Sequence, residues 1–292
     1  MADRSSERSP WVTLRTVAVA ASWLLLTRML PQYAWHAVPR ALLNQLTLPT
    51  YSMICQILTT ALGVGMTRLW LARPRAALGL ERCSWSTLLV SALLAPALFV
   101  ISSRVALTLA EPYLLAELAV KGGEGASRRN AGEFGRAVTE APILLNLLWG
   151  GVLAAFSEEL LFRGVLMTAF RQLMPGRAAR LGAGSAVILS ALAFAAMHAD
   201  MPGSVGIVRV VASACLGLGC GVARWLCRSV WAAMAVHFVY NSVSLGLGRG
   251  WFGSSDEALL PAVPNGLLFI ASAGAIVATA LSLARRSRPP AA

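Results

Sequence analysis

Long apolar stretches separated by short polar or basic segments run through most of this 292-residue chain. As a helix, a stretch of about 20 apolar residues matches the thickness of a bilayer. Eight such stretches can be recognised, and we expect each of them to form a transmembrane helix. Their approximate bounds are residues 11–30, 50–71, 84–103, 137–173, 181–199, 204–223, 229–247 and 265–284.

Proline marks several of the breaks in this pattern. Residues 31–49 are predicted to form a loop that contains His36, and Pro96 predicts a kink in the third helix. Residues 105–120 are apolar but contain two glutamates and a proline, so they are expected either to extend the third helix or to lie at the interface. The whole pattern predicts an all-α, polytopic membrane protein with about eight transmembrane helices in one bundle.

The composition supports a membrane protein. Charged residues make up 13% of the chain, about half the share found in a typical soluble domain, and the mean hydropathy is +0.66. The net charge is +12, but the basic residues concentrate in short connections and tails, as in proteins oriented by positive charge. We therefore assign this charge to topology and anionic lipid headgroups, and expect the lipid bilayer, not nucleic acid, as its partner.

The distribution of arginine predicts the orientation in the membrane. Arginines cluster before the first stretch, after the second, fourth and sixth, and after the last. The connections after the fifth and seventh stretches instead carry Asp200, Asp256 and Glu257. Because cytoplasmic segments are enriched in arginine and lysine, both termini are expected in the cytoplasm, with the basic connection after the third stretch as the exception.

The fourth stretch contains Glu158, Glu159 and Arg163 within an apolar surrounding. An ionisable group at bilayer depth costs about 2.5–3.5 kcal/mol on insertion scales, so such groups are usually buried in the bundle, paired and functional. Glu159 and Arg163 are four residues apart and can pair along one helix face. Glu158 points about 100° away from its neighbour. The pattern therefore leaves one carboxylate for chemistry.

Two of the three histidines lie in other predicted transmembrane helices. His237 and Asn241 are four residues apart and share one helix face, as do Phe194 and His198. At about 1.5 Å per residue, Glu158, His198, His237 and Asn241 lie roughly 21, 26, 12 and 18 Å from the cytoplasmic ends of their helices. We therefore expect these four side chains to meet in a cavity that opens to the cytoplasm.

The residue types at this predicted cavity limit what it can do. A carboxylate beside an imidazole can take a proton from water, and a second imidazole with an amide can stabilise an oxyanion. Together they describe hydrolysis of an acyl bond by activated water. Glu158, His198 and His237 can alternatively bind a divalent metal such as zinc. Intramembrane glutamate and histidine also build ion pairs and proton relays, as in a non-catalytic immunity or scaffold protein or a proton-coupled carrier.

These residues form three motifs, which carry a resemblance to a known family. The motifs are, in chain order, Glu158-Glu159-x-x-x-Arg163, Phe194-x-x-x-His198 and His237-x-x-x-Asn241. Over about residues 143–245 the chain resembles the CPBP family, the CAAX proteases and bacteriocin-processing enzymes, also called Abi proteins. The resemblance implies an intramembrane endopeptidase of the glutamic type, in a family historically classed as metalloproteases. It also implies that Glu159 and Arg163 support the catalytic residues.

The resemblance further implies specific catalytic roles. Glu158, with His198, activates the attacking water, and the oxyanion site consists of His237 and Asn241. No cofactor is expected, or a divalent metal such as zinc in the alternative. The implied substrate is a membrane-embedded or membrane-associated protein or peptide, and the implied location is the plasma (inner) membrane of a bacterium.

This interpretation divides the chain into three parts. Residues 1–136 hold the first three transmembrane helices and a loop, and residues 137–250 hold the CPBP-type catalytic core with helices four to seven. Residues 251–292 hold a loop, the last helix and a basic cytoplasmic tail.

Overall fold

The computed structural model describes residues 10–37, 39, 46–119, 135–136, 140–174, 179–249 and 265–286. These parts of the chain are helical and contain no β-strand. The helices are α1 (Pro10–Ala37), α2 (Leu48–Trp70), α3 (Pro74–Leu78), α4 (Trp85–Ala92), α5 (Leu94–Ala119), α6 (Ile143–Leu173), α7 (Ala179–Met197), α8 (Gly203–Cys227), α9 (Val230–Gly248) and α10 (Asn265–Arg286).

Several of these helices can cross a bilayer. Within the described residues, five segments are long and apolar enough: α1, the α4–α5 segment Trp85–Glu117, α6, α8 and α9. Shorter apolar segments occur in α7 (Gly182–Met197) and α10 (Phe269–Arg285). The predicted all-α, polytopic class is confirmed, whereas the number of eight spans stays a prediction.

The C-terminal end of α1 differs from the sequence prediction. A loop was predicted from Pro31, but α1 continues through this proline to Ala37 and includes His36. The Tyr51 hydroxyl of α2 donates a hydrogen bond to the Pro31 carbonyl, and the Trp35 ring meets the Tyr51 ring edge-on at 5.3 Å. Packing against α2 thus holds the extra turns, although proline normally interrupts a helix.

Prolines act differently in the next helix pair. The helix is interrupted at Leu93, between α4 and α5 and three residues before Pro96, where a kink was predicted. Pro96 has no N–H to bond the carbonyl of Ala92, so the helix loses a hydrogen bond at this point. Of the two alternatives for residues 105–120, the helical extension is correct, since α5 continues through Pro112 to Ala119.

A short helix that the hydropathy pattern did not predict lies in the basic connection after α2. Pro74 occupies the first turn of α3, and Gly79 ends it in a left-handed conformation with φ 69°. Such a start and end follow the usual preference for proline and glycine. The Gly79 carbonyl accepts a hydrogen bond of 2.9 Å from the backbone N–H of Val230. This connection is therefore tied to the start of α9.

The core forms where α6 meets the later helices. α6 packs against α1, α2, α7 and α9, and α8 packs against α5, α7 and α9. The buried side chains of this core come mostly from the middle of α6 and from α8 and α9; they include Leu160, Leu161, Phe162, Val165, Leu216, Cys220, Ala232, Ala233 and Val236. Glu159 and Arg163 of α6 are buried within this core.

Candidate functional site

The helix that carries the two glutamates has an unusual backbone. In α6, π-helical segments at Leu147–Leu153 and Leu160–Leu166 flank the α-helical turn Ala154–Glu159. A π-helical turn holds more residues than an α-helical one, and such turns occur frequently at functional sites. Glu158 and Glu159 thus close the α-helical turn, while Arg163 lies in the following π-helical segment.

A buried hydrogen-bonded chain joins α6 to α9. Arg163 donates from Nη1 to Oε1 of Glu159 at 2.9 Å, and the same oxygen lies 2.8 Å from Nδ1 of His237. The side chains of Arg163 and Glu159 are fully buried, and that of His237 is 2% exposed. Nη2 of Arg163 donates to the Gly217 carbonyl of α8 at 2.9 Å, and the guanidinium lies 4.6 Å from the Phe194 ring centroid. The predicted pairing of Glu159 with Arg163 is therefore present.

The hydrogen bonds from Arg163 through Glu159 fix the orientation of His237. The Glu159 carboxylate accepts from Arg163, so Nδ1 of His237 is best assigned as a donor to it. The other ring nitrogen, Nε2, then lies 3.8 Å from Oε2 of Glu158. The Glu158 side chain is 22% exposed, in contrast to its buried neighbour. When His237 carries both ring protons, the charges of Glu158, Glu159, Arg163 and His237 cancel.

His198 and Asn241 approach the same place from α7 and α9. His198 lies just beyond the end of α7, although the sequence placed it inside the helix. Its Nδ1 is 2.8 Å from the Phe194 carbonyl; since a carbonyl only accepts, this nitrogen carries the proton and Nε2 of the neutral ring is an acceptor. Asn241 donates from Nδ2 to the Gly150 carbonyl at 2.7 Å, which leaves its second N–H for another acceptor.

The four side chains lie around one cavity of about 600 Å³. Glu158, His198, His237 and Asn241 all line it, so the structure brings together the residues that the motifs singled out. Much of the remaining wall is apolar or aromatic and includes Trp149, Phe194, Leu216, Tyr240 and Leu245. A peptide segment with apolar side chains fits the chemistry of such a wall.

Glu158 makes its ion-pair contact with His237, at 3.8 Å. The resemblance implies that Glu158 and His198 act on one water molecule, which does not require a direct contact between them. No such contact joins Glu158 and His198, both of which are described residues. A water that bridges Glu158 and His198 remains compatible with their positions on the wall of one cavity.

Two residues of the cavity were not predicted from the sequence. Tyr240 lines the cavity, and its hydroxyl is 2.6 Å from Oγ of Ser102; its position three residues after His237 could have indicated this face. Arg209 also lies on the cavity wall, where it pairs with Asp200 at 3.3 Å. Nothing in a single sequence signals this second position.

The alternative metal site can be tested against the geometry. The predicted ligand set of Glu158, His198 and His237 does not form a compact group in the described part of the chain. The one such group found there is Glu159, Cys220 and His237, with ligand atoms within 4.8 Å of one another. In this group Glu159 already binds His237 and the Arg163 cation. A metal would have to compete with that cation, so these residues do not fit a metal ion.

Comparison with known proteins agrees with the part of the chain that holds these residues. Residues 140–243 match the family model described as Type II CAAX prenyl endopeptidase Rce1-like. The match extends from just before α6 into α9 and contains every residue of the three motifs. No curated protein and no solved structure was found to match the chain.

Proposed function

Since residues 140–243 form an Rce1-like domain of the CPBP/CAAX protease family, we propose that this protein is an intramembrane endopeptidase of the glutamic type. It hydrolyses peptide bonds of a membrane-embedded or membrane-associated protein or peptide. The observation that carries the proposal is the difference between the adjacent glutamates. Glu159 is buried and paired, whereas Glu158 is accessible in a cavity that it shares with two histidines and Asn241.

Glu158 acts as the general base. It takes one proton from a water molecule, and Nε2 of His198 accepts a hydrogen bond from the same water and orients it. The oxygen of this water attacks the carbonyl carbon of the substrate, and the carbonyl becomes an oxyanion. When the C–N bond breaks, Glu158 returns the proton to the leaving amine. The products are a carboxylic acid and an amine, which ionise to a carboxylate and an ammonium group, so no cofactor is consumed.

His237 and Asn241 stabilise the oxyanion. His237 donates from Nε2 when both ring nitrogens are protonated, and Asn241 donates with the N–H that Gly150 does not use. The bond from Glu159 holds the ring of His237 in place, and Arg163 holds Glu159. Glu159 and Arg163 are therefore positioning residues. Loss of one oxyanion donor costs about 10²–10³ in kcat in other hydrolases.

The test uses purified full-length protein in lipid vesicles and two probes, a farnesylated peptide that ends in a CAAX sequence and the same peptide without the lipid. Cleavage is followed by mass spectrometry of the products. We expect wild-type protein to cleave at least one probe, and Glu158→Gln to reduce the rate by at least about 10³-fold, since it removes the base. Equal rates for wild type and Glu158→Gln would overturn the proposal.

Two further arms separate the alternatives. Asn241→Ala is expected to lower kcat with little change in KM, because its N–H acts in the transition state. A strong chelator is expected to leave the rate unchanged. Loss of activity with chelator, restored by zinc, would overturn the glutamic mechanism and favour the metal-dependent one.

A further inference from the structure

A second cavity lies outside the catalytic one. It has a volume of about 380 Å³ and opens between α2, α3, α6 and α9. Most of its wall is apolar or aromatic. We call this cavity the arginine cleft; its lining residues include Val64, Arg68, Arg75, Phe156, Leu160 and Trp231. None of the catalytic residues proposed above lines it.

Two exposed arginines border the arginine cleft. Arg68 lies in the last turn of α2 and Arg75 in α3, and both side chains are exposed. In the described part of the chain neither guanidinium has a carboxylate within ion-pair distance. Two unpaired guanidinium groups beside an apolar wall attract an anion that also has an apolar part.

The aromatic residues around the cleft locate it at the edge of the bilayer. Trp70 and Trp231 are 55% and 40% exposed, and tryptophan is enriched where hydrocarbon meets headgroups. The arginines therefore lie at headgroup level, while Phe156 and Leu160 lie deeper in the hydrocarbon. A lipid that enters from the side meets charge at one end of the cleft and apolar side chains at the other.

We propose that the arginine cleft is a binding site for one anionic phospholipid. The phosphate of the lipid binds Arg68 and Arg75, and an acyl chain packs against Val64 and Phe156. A free phosphate ion would use the arginines alone and leave the apolar wall exposed. A zwitterionic lipid carries no net charge to favour this site over the rest of the bilayer. The cleft thus matches a lipid whose headgroup is anionic.

Trp231 provides a reporter for this site. Its ring lies on the cleft wall, 6.4 Å from the ring of Phe156. Purified protein is placed in phosphatidylcholine vesicles that contain increasing fractions of brominated phosphatidylglycerol, and tryptophan fluorescence is measured. Bromine quenches a tryptophan that it contacts, so we expect quenching that saturates at a low fraction of the brominated lipid. This component should disappear in Trp231→Phe.

Charge-matched variants test whether Arg68 and Arg75 bind the lipid headgroup. Arg68→Gln/Arg75→Gln is expected to raise the lipid fraction at half-quenching by about 25-fold, since each arginine near an anionic headgroup contributes a factor of roughly five and the two factors multiply. Arg28→Gln/Arg285→Gln removes the same charge at exposed positions outside the cleft. This control should change the lipid fraction at half-quenching by less than about twofold. The single variant Arg75→Gln gives an intermediate shift and serves if the double variant does not fold.

Three outcomes would overturn the proposal. Equal quenching by brominated phosphatidylcholine means that the cleft holds only exchanging bulk lipid. Equal shifts in the two double variants mean that only the surface potential acts. Displacement of the quencher by millimolar inorganic phosphate means that the site binds a free anion. None of these readouts requires peptide cleavage, so the result is independent of the proposed function.

Discussion

At the scale of single residues, Glu158 and Glu159 show how two adjacent carboxylates acquire different tasks. Glu159 accepts hydrogen bonds from Arg163 and His237 in a buried position. Glu158 lines the candidate active-site cavity and lies 3.8 Å from His237. The helix turns by about 100° between them, which is sufficient to place one in the core and the other at a water-accessible wall.

Replacing Glu159 should destabilise the fold. Glu159→Gln leaves the buried guanidinium of Arg163 without its counter-ion, and breaking a buried ion pair in this way costs about 3–5 kcal/mol. Unfolding in detergent, followed by circular dichroism, measures this loss. Glu158→Gln is the matched control and should change the free energy of unfolding by less than about 1 kcal/mol. Similar losses in both variants would show that Glu158 is also structural.

The sequence predicts contacts within one helix better than contacts between helices. The Glu159–Arg163 pair follows from their spacing, because residues four apart share a face. The bond between Glu159 and His237 joins residues 78 positions apart, and it depends on how α6 packs against α9. No local pattern in the sequence records that packing. The sequence therefore predicted that His237 lies near the site, but not that Glu159 is its hydrogen-bond partner.

At the scale of helices, a close approach between α8 and the α6 ion pair makes Gly217 sensitive. A Cβ at Gly217 would lie 3.0 Å from Cα of Ala191 and 3.1 Å from Nη2 of Arg163. Nη2 also binds the Gly217 carbonyl, so the arginine cannot move away without loss of that bond. Glycine thus gives α8 the space to contact Arg163 through its backbone.

Gly217→Ala should therefore lower both stability and activity. We expect a loss of about 1–3 kcal/mol in the free energy of unfolding, as for other overpacked positions, and slower peptide cleavage because His237 is held through Arg163 and Glu159. Gly184→Ala in α7 is the matched control. Its new Cβ meets no atom within 4 Å, and alanine favours a helix over glycine by about 1 kcal/mol. The prediction is wrong if both variants behave alike.

Helix boundaries were the least predictable part of the fold. Proline was expected to end the first helix, yet Pro31 lies inside α1 because Tyr51 and Trp35 pack the last turns against α2. Pro96 did mark a break. The same residue type has opposite outcomes because tertiary packing, which hydropathy does not record, decides whether the lost hydrogen bond is tolerated. The π-helical segments of α6 also had no signal in the apolar pattern.

At the scale of the whole molecule, the distribution of arginine predicts the orientation in the membrane. Arg68, Arg73 and Arg75 surround the connection between α2 and α4, and Arg285 and Arg286 end α10. By the positive-inside rule we expect both ends of the chain in the cytoplasm of a bacterial cell. Green fluorescent protein fused after Ala292 should fluoresce, since it folds in the cytoplasm.

A second fusion tests the opposite side. Alkaline phosphatase inserted at Asp200, in the connection between α7 and α8, is expected to be active because that connection should face the periplasm. Active phosphatase at the C-terminus, with a dark fluorescent fusion there, would reverse the orientation and place the basic connections outside.

The ion pair of α6 also has a consequence for how the chain is made. α6 leaves the ribosome before α9, so Glu159 reaches the translocon before His237 does. Arg163 belongs to the same helix and accompanies the carboxylate through the translocon as its own counter-ion, where a bare charge would cost about 2.5–3.5 kcal/mol. The imidazole of His237 then binds to a Glu159–Arg163 salt bridge that has already formed.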